Sequence, residues 1–134
     1  MPLNGFLNTM KERTVIYKQF DVVVVPFPFT DRKADKRRPA LVLSDDERFN
    51  KSSGHYVLAM ITSQKNPEWS LDTPITEKQK AGLVAPSKVR MKLFTLDSRL
   101  ILKRIGSLSD KDQKAVTKAL QYLLEFSKNS RRTK

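Results

Sequence analysis

Cysteine is absent from the chain and histidine occurs once. Without cysteine there is no disulfide scaffold, no thiolate zinc site and no cysteine nucleophile, and a reducing cytoplasm is a compatible compartment. With His55 alone, a nucleophilic triad would have to use that one ring, and no nucleophile-elbow pattern follows a strand. His55 stands beside Gly54 in a serine-rich turn, which reads as an exposed loop position; a general base is the competing reading. Long apolar runs are missing too. Nothing approaches the roughly 20 residues of a membrane helix, and the opening "MPLNGFLNTMKERTVIYKQF" lacks the apolar region of a secretory signal. Carboxylates are in short supply, 14 Asp and Glu against 26 Lys and Arg. Their one local cluster, Asp45, Asp46 and Glu47, reads as a charged turn, with a Mg²⁺ shared with substrate phosphates as the alternative. No metal site and no cofactor is predicted.

What the chain has in excess is positive charge, a formal +12 with a sequence pI near 10.1. That is an electrostatic footprint for a polyanion: nucleic acid, an acidic protein or an anionic surface. At 134 residues the chain suits one domain around one core. Residues 1–18 mix Pro, Asn, Gly and charge and read as an N-terminal extension. The domain spans 19–126, and 127–134, "SKNSRRTK", forms a basic tail able to add phosphate affinity.

Within the domain, "DVVVVPFPF" (21–29) is rich in β-branched and aromatic residues, and Pro26 and Pro28 stop it as a strand. "PALVLS" (39–44) is a second strand that opens at a proline. "HYVLAMITSQ" (55–64) is a third, apolar on both faces, with Tyr56, Leu58, Met60 and Thr62 on one and Val57, Ala59, Ile61 and Ser63 on the other. "APSKVRMK" and "LILKRIGSLS" are two further candidates, punctuated by Gly82, Pro86 and Gly106. Short strands at this spacing suggest a small barrel or sandwich. Ser109 and Asp112 then resemble a capping pair, followed by Ala115, Val116, Ala119, Leu120, Leu123 and Leu124 at helical spacing. The fold class is mainly β with a C-terminal helix.

Phosphate chemistry has its best candidate in "DRKADKRRPALVLS", where five cations, Arg32, Lys33, Lys36, Arg37 and Arg38, face only Asp31 and Asp35. Repulsion among them invites a polyanion; a solvated turn is the plainer reading of Lys33 and Lys36. Arg38 differs, because Pro39 restricts it to extended backbone and the apolar run anchors it at a strand edge, where its planar fork can meet a phosphate. Thr62 closes the third strand with a hydroxyl able to donate to a phosphoryl oxygen or simply to bond within the sheet. Arg90 is a basic position inside structured sequence. Trp69 and Phe94 are possible base-stacking rings or ordinary packing.

In order, "DVVVVPFPFTDRKADKRRPALVLS", "VLAMITSQ", "GLVAPSKVRMKLFTLD" and "LILKRIGSLS" before a final helix resemble the MazF and PemK toxins of type II toxin–antitoxin systems, from about Phe20 to Phe126. The resemblance implies an SH3-like or CcdB-like small β-barrel working as a cytoplasmic homodimer. It implies a metal-independent endoribonuclease that cuts single-stranded RNA, mRNA included, by attack of the ribose 2′-hydroxyl. An acidic antitoxin is the implied protein partner. The family's Arg-Pro arginine falls on Arg38 and its strand-end threonine on Thr62, the two implied catalytic residues. Lys36, Arg37, Ser63, Gln64, Lys65 and Arg90 are the implied RNA contacts. The loop would be a lid with Arg38 at its fixed end. "RKADK" replaces the family's common loop, so an acidic residue used there has only Asp35 as a weak counterpart. Three further readings share these residues: a gyrase-poisoning toxin on the same barrel, a basic nucleic-acid-binding module without catalysis, and a structural or interaction subunit whose loop serves a protein partner.

Overall fold

A computed structural model of the chain describes residues 15–26 and 36–126. Six strands form one antiparallel sheet: β1 (Asp21–Pro26), β2 (Arg37–Val42), β3 (His55–Ser63), β4 (Thr73–Pro74), β5 (Ser87–Asp97) and β6 (Lys103–Ser107). They lie in the order β4-β5-β3-β2-β1-β6, a curled half-barrel, and helix α1 (Asp110–Leu123) follows β6. The fold is the expected one, mainly β with a C-terminal helix.

Strand periodicity divides the apolar residues between two cores. Val22, Leu41, Ala59, Ile61 and Val89 point to the side where Val116 and Ala119 of α1 pack. Their neighbours Val23, Val25, Ala40, Val42, Tyr56 and Leu58 build the opposite face. Most of these residues are sealed from solvent, and each such aliphatic side chain contributes about 1.5–3 kcal/mol by burial. The second core is completed by Ile101 and by Tyr17, whose ring meets Tyr56 edge-on at a centroid distance of 5.7 Å. Tyr17 lies within the expected extension, yet it is part of the core. Residues 1–14 of that extension, the tail 127–134, and the loop residues Asp31, Arg32, Lys33 and Asp35 lie outside the described residues, as do Phe27–Phe29 of the first expected strand.

Several boundaries differ from the sequence reading for local reasons. β5 runs on through "LFTLD", because the β3–β5 pairing shifts register between Ala59 and Met60 and the bulge bends the strand without ending it. β6 starts only at Lys103, since Asp97 accepts from Arg99 N and caps a 3₁₀ turn over Ser98–Leu100. β4 is too short to leave a periodic trace. The acidic trio does make a turn: Asp45 accepts from Arg48 N at 2.8 Å and caps a π-helical turn, Asp46–Asn50, that an α-turn over Lys51–Ser53 continues.

α1 begins where the capping pair indicated, with Ser109 Oγ accepting from Asp112 N at 3.2 Å. The buried Asp112 carboxylate also accepts from Thr76 N at 2.9 Å and Thr76 Oγ1 at 2.8 Å, fastening the helix start to the chain between β4 and β5. Of the expected apolar stripe, Val116 and Ala119 are buried, but Leu123 and Leu124 are exposed. Two glycines bring backbones together. Gly82, at φ +77°, would put a Cβ 2.0 Å from Ile105 O, and Gly106 would put one 2.4 Å from the Ala81 carbonyl carbon, so this loop and β6 touch without side chains between them. No helix among the described residues is long and apolar enough to cross a membrane.

Candidate functional site

Arg38 and Thr62 are placed by strand register. β2 pairs with β3 through Ala40↔Met60, Leu41↔Ala59 and Val42↔Leu58. Two residues further along this register, Arg38 falls opposite Thr62, and the period of two puts both on the face of Val25, Tyr56 and Leu58. The ladder stops two residues short of them, at Ala40↔Met60, since the next residue, Pro39, has no N–H to contribute. The apolar face of the second core thus runs out into a polar end.

Arg38 is half-buried, and its Nε is the one buried side-chain nitrogen or oxygen among the described residues that has no hydrogen-bond partner. A buried donor left unpaired costs about 1–3 kcal/mol, so an acceptor arriving at this point would be favoured. Thr62 is only 8% exposed, and its Oγ1 accepts from Asn66 Nδ2 at 2.5 Å. That bond occupies a lone pair and leaves the hydroxyl proton available to donate.

Two further cations share this face. β5 sets Lys88 opposite Thr62 and Arg90 opposite Met60. Both side chains are almost wholly buried and turn into the loop between β3 and β4. Arg90 grips Asp72 with two bonds, Nε to Oδ1 at 3.1 Å and Nη2 to Oδ2 at 2.8 Å, and donates to Pro67 O at 2.7 Å. Lys88 Nζ donates to Asn66 O at 2.7 Å and Glu68 Oε1 at 3.1 Å and lies 3.4 Å from Asp72 Oδ2. The Asp72 side chain has no exposed surface. Burial pushes its carboxyl upward, but the Arg90 bond, the Trp69 N–H and Lys88 outweigh that and hold it below the usual carboxylate range. The same pairing with Asp72 raises Arg90. Trp69 lies under the guanidinium, 4.6 Å from Arg90 Cζ to the ring centroid.

The other sequence candidates fall around this end. Arg37 and Lys36 are exposed at the start of β2. Ser63 Oγ accepts from Lys65 N at 3.1 Å, Gln64 Nε2 donates to Ser87 O at 3.2 Å, and Lys65 is exposed. Arg90 is placed differently from a surface contact: its donors serve Asp72 and Pro67, and it braces the loop from within. Phe94 packs against the second core. His55 is exposed at the far end of β3 with Nδ1 2.9 Å from Ser53 O, and seven residues of strand put it roughly 23 Å from Thr62. Among the described residues no three His, Asp or Glu side chains gather as a metal-ion site. Grooves beside α1, one lined in part by Phe20, Gln113 and Lys114 and another by Leu71, Pro74 and Tyr122, include neither Arg38 nor Thr62.

Asn66, Asp72 and Lys88 were not singled out from sequence. Lys88 and Arg90, two apart on one strand, offered a signal: two cations on one buried face require a carboxylate beneath them. Which carboxylate is a matter of loop path, which spacing does not encode.

The sequence profile of the PemK-like, MazF-like toxins of type II toxin–antitoxin systems matches residues 18–124. Comparison with curated proteins finds no match. Among solved structures, the chain is similar to the MazE–MazF complex from Deinococcus radiodurans, at 22% identity and TM-score 0.66, covering 84% of this chain and 100% of that one. It is also similar to an endoribonuclease in complex with its cognate antitoxin from a mycobacterial species, at 12% identity and TM-score 0.64, covering 84% and 96%. A third is the Mycobacterium tuberculosis toxin MazF-mt6, at 20% identity and TM-score 0.60, covering 79% and 99%. These likenesses show a shared fold, and the profile match, over most of the chain, shows the family. The chain belongs to the PemK-like, MazF-like toxins of type II toxin–antitoxin systems.

Proposed function

We propose that this toxin is an endoribonuclease acting on single-stranded RNA in the cytoplasm, with Arg38 and Thr62 as its catalytic pair. The observation that carries this reading is the buried, unpartnered Nε of Arg38, on the register position facing Thr62. In the reaction, the ribose 2′-oxygen attacks the adjacent phosphorus, its proton leaves, and the bond to the 5′-oxygen breaks as that oxygen gains a proton. The ends are a 2′,3′-cyclic phosphate and a 5′-hydroxyl.

Charge builds on the non-bridging oxygens as the phosphorane forms. The Arg38 guanidinium, carried on β2 at the position paired with Val25 and with its Nε buried and unpartnered, offers those oxygens charge-assisted donors. Arg38 does not act as the base, because a guanidinium stays protonated at neutral pH. Thr62 donates its remaining proton to a second oxygen while Asn66 holds it from behind. Lys36, Arg37 and Lys65, exposed at this end, serve the flanking phosphates. DNA, lacking the 2′-hydroxyl, is bound but not cut.

Two partners belong to this reading. An acidic antitoxin suits the +12 charge, and relatives of the same fold are seen with antitoxins. A second copy of the chain suits the exposed apolar end of α1, where Tyr122, Leu123 and Leu124 stand in solvent. The functional test is to incubate partner-free protein with a long single-stranded RNA in excess EDTA, map cuts by primer extension and characterise the ends. Discrete cuts with 5′-hydroxyl ends, lost in Arg38→Ala, support the reading. Intact RNA that shifts in a salt-sensitive binding assay would sink it in favour of a non-catalytic module, and gyrase cleavage would be tested next.

A further inference from the structure

The loop between β3 and β4 is held more firmly than its place on the surface requires. Arg90 and Lys88, both rooted in β5, clamp Asn66, Pro67, Glu68 and Asp72 along it. Asp72 accepts from Trp69 N at 2.9 Å, and Asp72 N donates back to Trp69 O at 3.2 Å. Leu71 adopts φ +70°, a left-handed backbone that a leucine holds only when its surroundings fix it.

At the centre of this clamped loop the indole of Trp69 is 45% exposed. A tryptophan needed only for packing would bury its ring, as Tyr17 and Tyr56 do on the same sheet. Here the ring is stacked on the Arg90 guanidinium and otherwise offered to solvent. The cation beneath it is neutralised by Asp72, so it stiffens the ring without presenting a free charge. Asn66, which touches Thr62, is three residues away, at most about 11 Å of chain. A rigid, open aromatic ring therefore stands beside the residue that would hold the scissile phosphate, with exposed Lys65 between them in sequence.

We propose that Trp69 is a stacking platform for a base of single-stranded RNA flanking the scissile phosphate. This rests on the ribonuclease reading and adds to it a subsite whose ligand is a nucleobase face. Stacking tolerates any base, because each has a π-face, so the platform supplies affinity and register along the strand more than sequence readout. The preorganised loop lowers what binding would otherwise lose in ordering an indole.

Trp69 is the chain's one tryptophan, so its fluorescence reports on this ring alone. Full-length protein is titrated with a mixed-sequence single-stranded oligodeoxynucleotide, which carries bases but cannot be cut, and in parallel with inorganic polyphosphate and poly-glutamate. The oligodeoxynucleotide should quench the emission while the base-free polyanions do not. In RNA cleavage, Trp69→Ala should raise KM roughly tenfold with kcat changed less than about twofold, and Trp69→Phe should recover most of the loss. Should Trp69→Ala fail to fold, Trp69→Phe and the wild-type titration decide. Cleavage with no quench and an unchanged KM overturns the platform and leaves the ribonuclease reading standing. Equal quenching by poly-glutamate overturns it in favour of a protein-binding ring. A protein that neither binds nor cuts RNA overturns both.

Discussion

Asn66 Nδ2 donates to Thr62 Oγ1 across 2.5 Å, and Asn66 O is itself held by Lys88 Nζ at 2.7 Å. The hydroxyl at the end of β3 is thereby fixed from the loop side, with its proton directed away from Asn66. Removing the amide frees the rotor, so Asn66→Ala should lower kcat about tenfold with little change in KM, through lost orientation. Asn66→Asp should do more damage. Its carboxylate accepts where the amide donated, captures the Thr62 proton and sets a negative charge beside the substrate phosphate. Single-turnover cleavage of one RNA by the three proteins checks the order; an Asp variant as active as wild type would contradict it.

Arg38 can be removed without disturbing the sheet, because no ion pair ties it down among the described residues and Val25↔Arg38 pairing is made by backbone. Arg38→Ala should lose about 10²–10³ in kcat, the usual effect of deleting one preorganised donor to a developing oxyanion. Arg38→Lys should remain impaired, since an ammonium has no planar fork with which to span two phosphoryl oxygens. Circular dichroism melts matching wild type, measured beside the cleavage rates, separate lost chemistry from lost fold.

Much of this site was legible in the sequence, for reasons that particular residues make plain. The alternation in "HYVLAMITSQ" gave both faces of β3, and the Pro39 signal gave the edge where Arg38 stands. What pattern could not supply was the pairing of distant residues. Asp72 sits in "SLDTP" with nothing in its neighbours to mark it as the counter-ion of Arg90, 18 positions on. Arg90 accordingly read as an RNA contact, although its burial against Asp72 makes it a brace. β4 and the bulge in β5 escaped for a related cause: both are set by the curl of the sheet, which local propensity does not encode.

Asp72 links loop stability to pH. Its folded-state pKa is depressed, so its contribution is fully present above the unfolded value near 3.9 and disappears as pH falls through the lower folded value. Asp72→Asn leaves Lys88 and Arg90 buried without their shared charge and should destabilise the protein by about 3–5 kcal/mol at pH 7. Urea denaturation at pH 7 and at successive values below 4 checks both claims. Wild type should converge towards the variant as the pH drops, and parallel curves would refute the linkage.

Tyr56 tests the core on the face that Arg38 and Thr62 share; it lies six residues along β3 from Thr62, roughly 20 Å away, and should leave chemistry untouched. Its hydroxyl oxygen accepts the Tyr17 backbone N–H at 2.9 Å in a buried setting, the bond that ties the residues before β1 to the sheet. Tyr56→Phe keeps the ring and the edge-on contact but strands that N–H, at about 1–3 kcal/mol. Burial raises the Tyr56 phenol above its usual pKa, the Tyr17 N–H opposing it only in part, and burial followed by Asp21 raises Tyr17. A phenol whose folded pKa is raised stabilises the fold below the unfolded value near 10, and this contribution is lost as pH rises beyond it. Wild type should therefore weaken above about pH 10, and Tyr56→Phe, with one fewer such group, should weaken less steeply. Thermal unfolding across that range, with RNA cleavage measured at neutral pH, decides it: lower stability at unchanged cleavage is the expected pair, and a fall in cleavage would place Tyr56 in the site.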